Sequence, residues 1–153
     1  MQNHGSIEID RPIDEVYWLT VDHVPEWSII VAEDSPVLQT PEVVGSTFPT
    51  VTIDRGQRME FDGVITKFNP PHLHAVKMTG KLFDIDAEYT FEDLESRTRV
   101  TQSSRVYPKW FLRIIFALFG WMMKKGSCQA QQRELESLKR FCDQDVPSAA
   151  GQE

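Results

Sequence analysis

The chain has only two cysteines, Cys128 and Cys142, and no CxxC pair. On one expected helix, at about 1.5 Å per residue, they stand roughly 21 Å apart, which is too far for a disulfide. They read as packing residues in a reducing compartment. The GxSxG, HExxH, P-loop and GxGxxG patterns are all missing, which removes the common hydrolase, zinc-protease, nucleotide and dinucleotide readings. Basic residues are in deficit, sixteen against twenty-three acidic for a net charge of −7. No segregated basic patch is expected, and therefore no nucleic-acid partner. The opening MQNHGSIEID lacks a charged leader followed by an apolar run, so no targeting segment is expected and a cytoplasmic protein is the default.

What is present suits one globular domain. Of 153 residues 41% are hydrophobic and 25% charged, enough for a core and too apolar for disorder. We place a single domain at 1–145 and a disordered tail at 146–153. Ser6 to Ile9 reads as a strand leading into a helix from Pro12 to about Leu19. Asp22 to Pro25 interrupts that helix, and Glu26, Trp27, Ile29 and Ile30 predict a brief second one before a turn at Glu33 to Pro36. From Val37 to Tyr107 the pattern has period two, and six strands are counted. In the clearest, Phe83, Ile85, Ala87, Tyr89 and Phe91 alternate with Asp84, Asp86, Glu88 and Thr90, as in a sheet wet on one face. Trp110 to about Cys142 lacks proline and predicts a long helix covering the other face, with Leu135, Leu138 and Phe141 or Cys142 on its apolar stripe and a bend near its middle at Gly120 and Gly126.

The stretch IEIDRPIDEVYWLTVDHVPEW, through Ile7, Ile9, Pro12, Val16, Asp22 and Trp27, resembles the opening of the SRPBCC superfamily, the START-like, polyketide cyclase and dehydrase-like group. Gly45 after Val43 and Val44, VITKFNPP from Val64 to Pro71, and RTRVT from Arg97 to Thr101 fall where that group has strands and turns. The resemblance implies an α+β helix-grip fold: a curved antiparallel sheet of about seven strands around a long C-terminal helix, with two short helices after the first strand. It further implies a cavity between sheet and helix. Members of the group include both enzymes and binding proteins, so the resemblance does not choose an activity.

Strand alternation puts Phe48, Met59, Phe61, Ile65, Met78, Ile85, Tyr89, Val100, Gln102 and Val106 on the concave face. Of these, Phe48, Met59, Phe61, Ile65, Met78, Tyr89 and Gln102 are the candidate ligand contacts, the polar atoms of Tyr89 and Gln102 being suited to orient a carbonyl or hydroxyl. Trp27, which the resemblance sets at the pocket mouth, joins them, with a structural tryptophan as the alternative. Asp22 reads first as a cap of the second short helix and second as a pocket carboxylate. His72 and His74 form an HxH pair without a third ligand, so they read as solvated residues at a strand start rather than a metal site. His23 is the acid-base candidate because it neighbours Trp27. No catalytic residue, metal or cofactor is assigned.

The expected activity is binding or transport of a hydrophobic small molecule, such as a lipid, quinone or polyketide-like compound. The alternative is a cyclase or dehydratase using pocket groups such as His23, Tyr89 or Gln102. In Trp110–Met123 twelve of fourteen residues are apolar, with Lys124 and Lys125 following, too short a run to span a bilayer. Burial, a homodimer contact and a peripheral membrane contact are its three readings, in that order. Phe111, Ile115, Phe119 and Met122 share one helical face and Ile114, Leu118 and Trp121 its neighbour; one is expected to cover the sheet and the other a partner subunit or lipid.

Overall fold

The computed structural model describes residues 2–34, 43–54 and 56–144, apart from the side chains at 33, 34, 54, 116 and 119–127. The chain runs from strand β1 (Gln2–Ile9) into helices α1 (Ile13–Asp22) and α2 (Val24–Trp27). Strands β2 (Val31–Asp34), β3 (Thr47–Asp54), β4 (Gln57–Asn69), β5 (Leu73–Gly80), β6 (Phe83–Asp93) and β7 (Thr98–Pro108) follow, and helix α3 (Trp110–Asp143) ends it. The seven strands form one antiparallel sheet in the order β1, β7, β6, β5, β4, β3, β2, curled into a half-barrel with α3 as its grip. This is the helix-grip architecture that the element order predicts.

The differences are local. Helix α1 continues to Asp22, its last turn fixed where Thr20 Oγ1 donates to the Val16 carbonyl at 2.7 Å. Helix α2 is a single turn, because Ser28 turns extended (φ −70°, ψ 137°) and Ile29 and Ile30 lead into β2 instead of continuing the helix. Thus β2 occupies part of the expected turn at Glu33 to Pro36. Between Thr47 and Pro108 there are five strands, not six, and β2 restores the total. The stretch 37–42, where the first of those six was expected to begin, and the tail 146–153 lie outside the described residues.

The core gathers where α1 and the C-terminal half of α3 meet the β1 end of the sheet. Ile9, Val16, Tyr17, Phe91, Val100 and Leu138 are nearly inaccessible, each such side chain contributing about 1.5–3 kcal/mol by burial. Leu135 packs over Gly5, where a side chain would press on it at 3.2 Å. Arg11 fastens the two ends of the fold: its Nε donates to the Cys142 carbonyl and its second guanidinium nitrogen to the Gln144 carbonyl at 2.7 Å. It thereby satisfies carbonyls that the end of α3 leaves open, with a cation where the helix dipole favours one.

Two glycines shape the sheet face. Gly63 pairs with Phe48 and Gly80 with Phe61, and each ring lies across its glycine, in the space a Cβ would fill. An aromatic side chain over a strand glycine recovers packing that the glycine forgoes.

Helix α3 is continuous from Trp110 to Asp143, through Gly120 and Gly126. Its C-terminal half buries Gln131, Glu134, Leu135, Leu138, Phe141 and Cys142. Its N-terminal half departs from expectation: Trp110, Phe111, Ile114, Ile115 and Leu118 are all exposed. Neither predicted face is therefore buried at its described positions, and burial is overturned there as the reading of this segment. The remaining members of the two faces, Phe119, Trp121 and Met122, lie among the undescribed side chains.

Candidate ligand cavity

Antiparallel register puts directly paired residues on one face, so the inner surface of the sheet can be read as rows running across the strands. One row is His74, Tyr89 and Gln102, ending at Gly5. The next is Ile65, Val76, Ala87, Ser104 and Asn3. The third is Phe48, Gly63, Met78, Ile85 and Val106. Over these rows lies a cavity of about 500 Å³, bordered on other sides by Thr20 to Asp22, Val24, Pro25, Trp27, Ser28, Ile30 and Val31, and by Ala130, Gln131 and Glu134 of α3. That volume is within the usual range for small-molecule sites. Polarity declines from the first row to the third, so the cavity has a polar end and an apolar end.

The polar end is closely hydrogen-bonded. Gln102 Nε2 donates to the Tyr89 hydroxyl at 2.7 Å, and Gln131 Nε2 donates to the Gln102 carbonyl at 3.1 Å. Burial, then the nearby Glu134 carboxylate, hold the Tyr89 phenol well above its ordinary pKa, the Gln102 hydrogen bond pulling the other way. Tyr89 therefore stays a neutral hydroxyl. Glu134 Oε1 accepts from the Ser28 hydroxyl at 2.9 Å and from the amides of Ile29 and Ile30 at 2.9 and 3.2 Å. The carboxylate clasps the link between α2 and β2 to α3. Trp27 is buried in the wall, its indole Nε1 donating to the Thr20 carbonyl at 2.9 Å and its ring edge-on to Tyr89.

Six of the eight candidate contacts, Trp27, Phe48, Ile65, Met78, Tyr89 and Gln102, line this cavity. Met59 and Phe61 do not. They share the face of Phe48 and Thr50, but β4 is thirteen residues long and its first residues extend past the cavity. There they border a separate depression with Lys81, Leu82 and Phe83. Alternation identifies the face of a residue, not how far along the strand the cavity reaches.

Three further expectations are corrected. Asp22 is the last residue of α1 and does not cap α2, whose N-cap position is His23; it lies exposed on the cavity rim, where partial desolvation raises its pKa against the opposing pull of His23. His23 itself faces outward, Nδ1 3.0 Å from Glu26 Oε2 and the ring near Phe141, and is absent from the cavity wall. His72 sits in an exposed turn, whereas His74 is buried in the wall, only 9% exposed, so the two do not form a solvated pair. Among the described residues no group of His, Cys, Asp and Glu is placed to hold a metal ion.

His74 and Glu134 are the residues that sequence reading missed. The signal for His74 was its alternation with Val76 and Met78; for Glu134 it was its place between Gln131 and Leu138 on the inward stripe of α3. His74 Nδ1 has no hydrogen-bond partner, and burial pushes the imidazole down from 6.5 to about 4. This gives a pH prediction. With a folded pKa below the unfolded one, the unfolded chain takes up the proton first as pH falls, so stability is complete above about 6.5 and declines toward 4. The loss is about 3 kcal/mol. Urea midpoints at several pH values should show this slope in the wild type and not in His74→Phe; equal slopes would mean that His74 is not held neutral.

The model of the polyketide cyclase / dehydrase and lipid transport family matches residues 4–142. A START superfamily protein from Mycobacterium smegmatis superposes with a TM-score of 0.80 at 13% identity, covering 95% of this chain and 99% of that one. The protein TTHA0849 from Thermus thermophilus gives 0.77 at 13% identity, covering 93% and 97%. The Zhui aromatase/cyclase from Streptomyces sp. R1128 gives 0.70 at 11% identity, covering 99% and 98%. These likenesses establish the fold. No curated protein matches the sequence.

Proposed function

We propose that this chain, which belongs to the polyketide cyclase / dehydrase and lipid transport family, binds a neutral hydrophobic molecule bearing a hydroxyl or carbonyl group. The observation that carries the reading is the graded cavity. Phe48, Ile65, Val76, Met78, Ile85 and Val106 offer an apolar sleeve, and Tyr89, Gln102 and His74 offer hydrogen bonds at its other end. Such a division orients an amphipathic ligand with its polar group beside Tyr89.

Charge argues for neutrality. Among the described residues the lining includes Asp22 and Glu134 but no lysine or arginine. An ionised carboxylate or phosphate would be desolvated there without a counter-charge and beside like charges. A fatty alcohol should therefore bind more tightly than the fatty acid of equal chain length by at least ~10-fold, about 1.4 kcal/mol. Fluorescence displacement at neutral pH with alcohols, acids, quinones and polycyclic phenols would measure this. Tighter binding of the acid would overturn the neutral-ligand reading, and no binding across the panel would remove the binding function.

A cyclase or dehydratase reading draws on the direct pairing of His74 with Tyr89. An imidazole and a phenol on adjacent strands can polarise a carbonyl from two sides. The shifts weigh against proton transfer: an imidazole pushed down to about 4 is a weak base at neutral pH, and burial keeps the phenol protonated. Both groups suit hydrogen bonding to a bound ligand better than turnover. Conversion of a polyketide-like substrate by wild type but not by His74→Phe would favour catalysis.

A further inference from the structure

We propose that the N-terminal half of α3 docks on an anionic lipid surface. Trp110, Ile114 and Leu118 are 77%, 61% and 64% exposed, and their four-residue spacing aligns them on one side of the helix. Phe111 and Ile115 extend the patch, and Leu82 joins it because its carbonyl accepts from the Lys109 amide at 2.9 Å. So much contiguous apolar surface marks a contact with something other than water.

Charge selects the occupant. Between Glu95 and Glu134 the chain carries eight basic residues and no acidic one, although its net charge is −7. The expectation that no basic region is segregated is therefore wrong for this stretch. Arg97, Arg99 and Arg105 lie on β7 or just before it, the first two paired with acids at its far end, but Lys109, Arg113, Lys124 and Lys125 lie beside or within the apolar stretch. Lys109 is tied to Asp84 at 3.0 Å, and among the described residues Arg113 has no ion-pair partner. An apolar helical face with basic residues around it and a tryptophan at one end matches the interface of a bilayer with negative headgroups. A second copy of the chain fits less well, since a two-fold dimer sets the same patch against itself and faces like charges together. Among the described residues no helix is long and apolar enough to cross a membrane, so the helix would lie in the interface.

Position in the fold agrees. The chain leaves the cavity wall at Val106, in the apolar row, and returns to it at Ala130. The exposed half-helix lies between those points, so docking sets the apolar end of the cavity toward the lipid.

Co-sedimentation of the full chain with vesicles tests this. Wild type should bind phosphatidylcholine vesicles containing phosphatidylglycerol, more weakly at high salt, and bind pure phosphatidylcholine little. Trp110→Ser with Ile114→Ser and Leu118→Ser should lower binding at least ~100-fold, and these side chains are exposed, so circular dichroism should remain native. Arg113→Glu with Lys124→Glu and Lys125→Glu keeps the apolar face and should also lower it ~100-fold, each basic residue contributing roughly fivefold. Absence of wild-type binding, or equal binding by the serine variant, would overturn the proposal. A wild-type dimer that binds no vesicles and that the serine variant converts to monomer would assign the patch to a second copy instead.

Discussion

Replacing Ala87 with tryptophan should abolish ligand uptake and leave the protein folded. Ala87 lies in the middle row of the cavity floor, between Val76 and Ser104, and is 8% exposed. A larger side chain there has only one direction open to it, into a cavity of about 500 Å³. Overpacking a filled core usually costs about 1–3 kcal/mol, but here the added ring enters unfilled space and buries apolar surface. Affinity for the tightest ligand of the panel should fall at least ~100-fold, about 2.7 kcal/mol, with an unchanged or raised thermal midpoint. Ala87→Ser should bind as wild type. So should Met59→Ser, because Met59 lies outside this cavity. If Ala87→Trp binds normally, the ligand site is elsewhere.

The second large effect is expected at Glu134. Its Oε1 gathers the Ser28 hydroxyl and the Ile29 and Ile30 amides, all part-buried. Removing the carboxylate in Glu134→Ala takes that acceptor from three donors at once and should cost about 3 kcal/mol, since hydrogen bonds to a charged group count for about 1.5–3 kcal/mol and stranded donors add to the loss. For a domain of this size that lowers the melting temperature by about 10 °C. Glu134→Gln keeps an acceptor oxygen and should lose less than half as much. Amide exchange at Ile29 should quicken in the alanine variant before the core strands respond. A melting temperature within about 2 °C of wild type would refute the clasp.

Much of this molecule was legible in its sequence, for identifiable reasons. Strand β6 declared itself because one face is wet: Asp84 and Glu88 meet Lys109 and Lys67 outside while Ile85, Ala87 and Tyr89 point inward. The same alternation placed Phe48, Ile65, Met78 and Gln102 on the inner face. It failed where period carries no information. Ile29, Ile30 and Val31 form an apolar run that fits a helix end or a strand start, and partners far along the chain decide the matter: β3, which pairs with Val31, and Glu134, more than a hundred residues later. His74 was misread because the turn before it resembles a solvated strand start, whereas its burial comes from the contacts of Tyr17 and Phe68 around it. For Trp110 to Leu118, composition says that water is a poor neighbour without saying which other neighbour is present.

The pairing of β1 with β7 bears on the order in which the molecule can be assembled. Ile9 pairs with Thr98 and Gln2 with Arg105, and α3 then packs across that first strand. During synthesis β1 emerges first, yet the strand it pairs with is made some ninety residues later and its cover later still. Until then it is an open edge, a template for any strand that drifts past. Closing so long a loop is slow, which places the chain among the late-contact, slow-folding topologies. The polar alternation of Gln2, His4, Ser6 and Glu8 along that strand is the trait that keeps a waiting edge from pairing with the wrong neighbour.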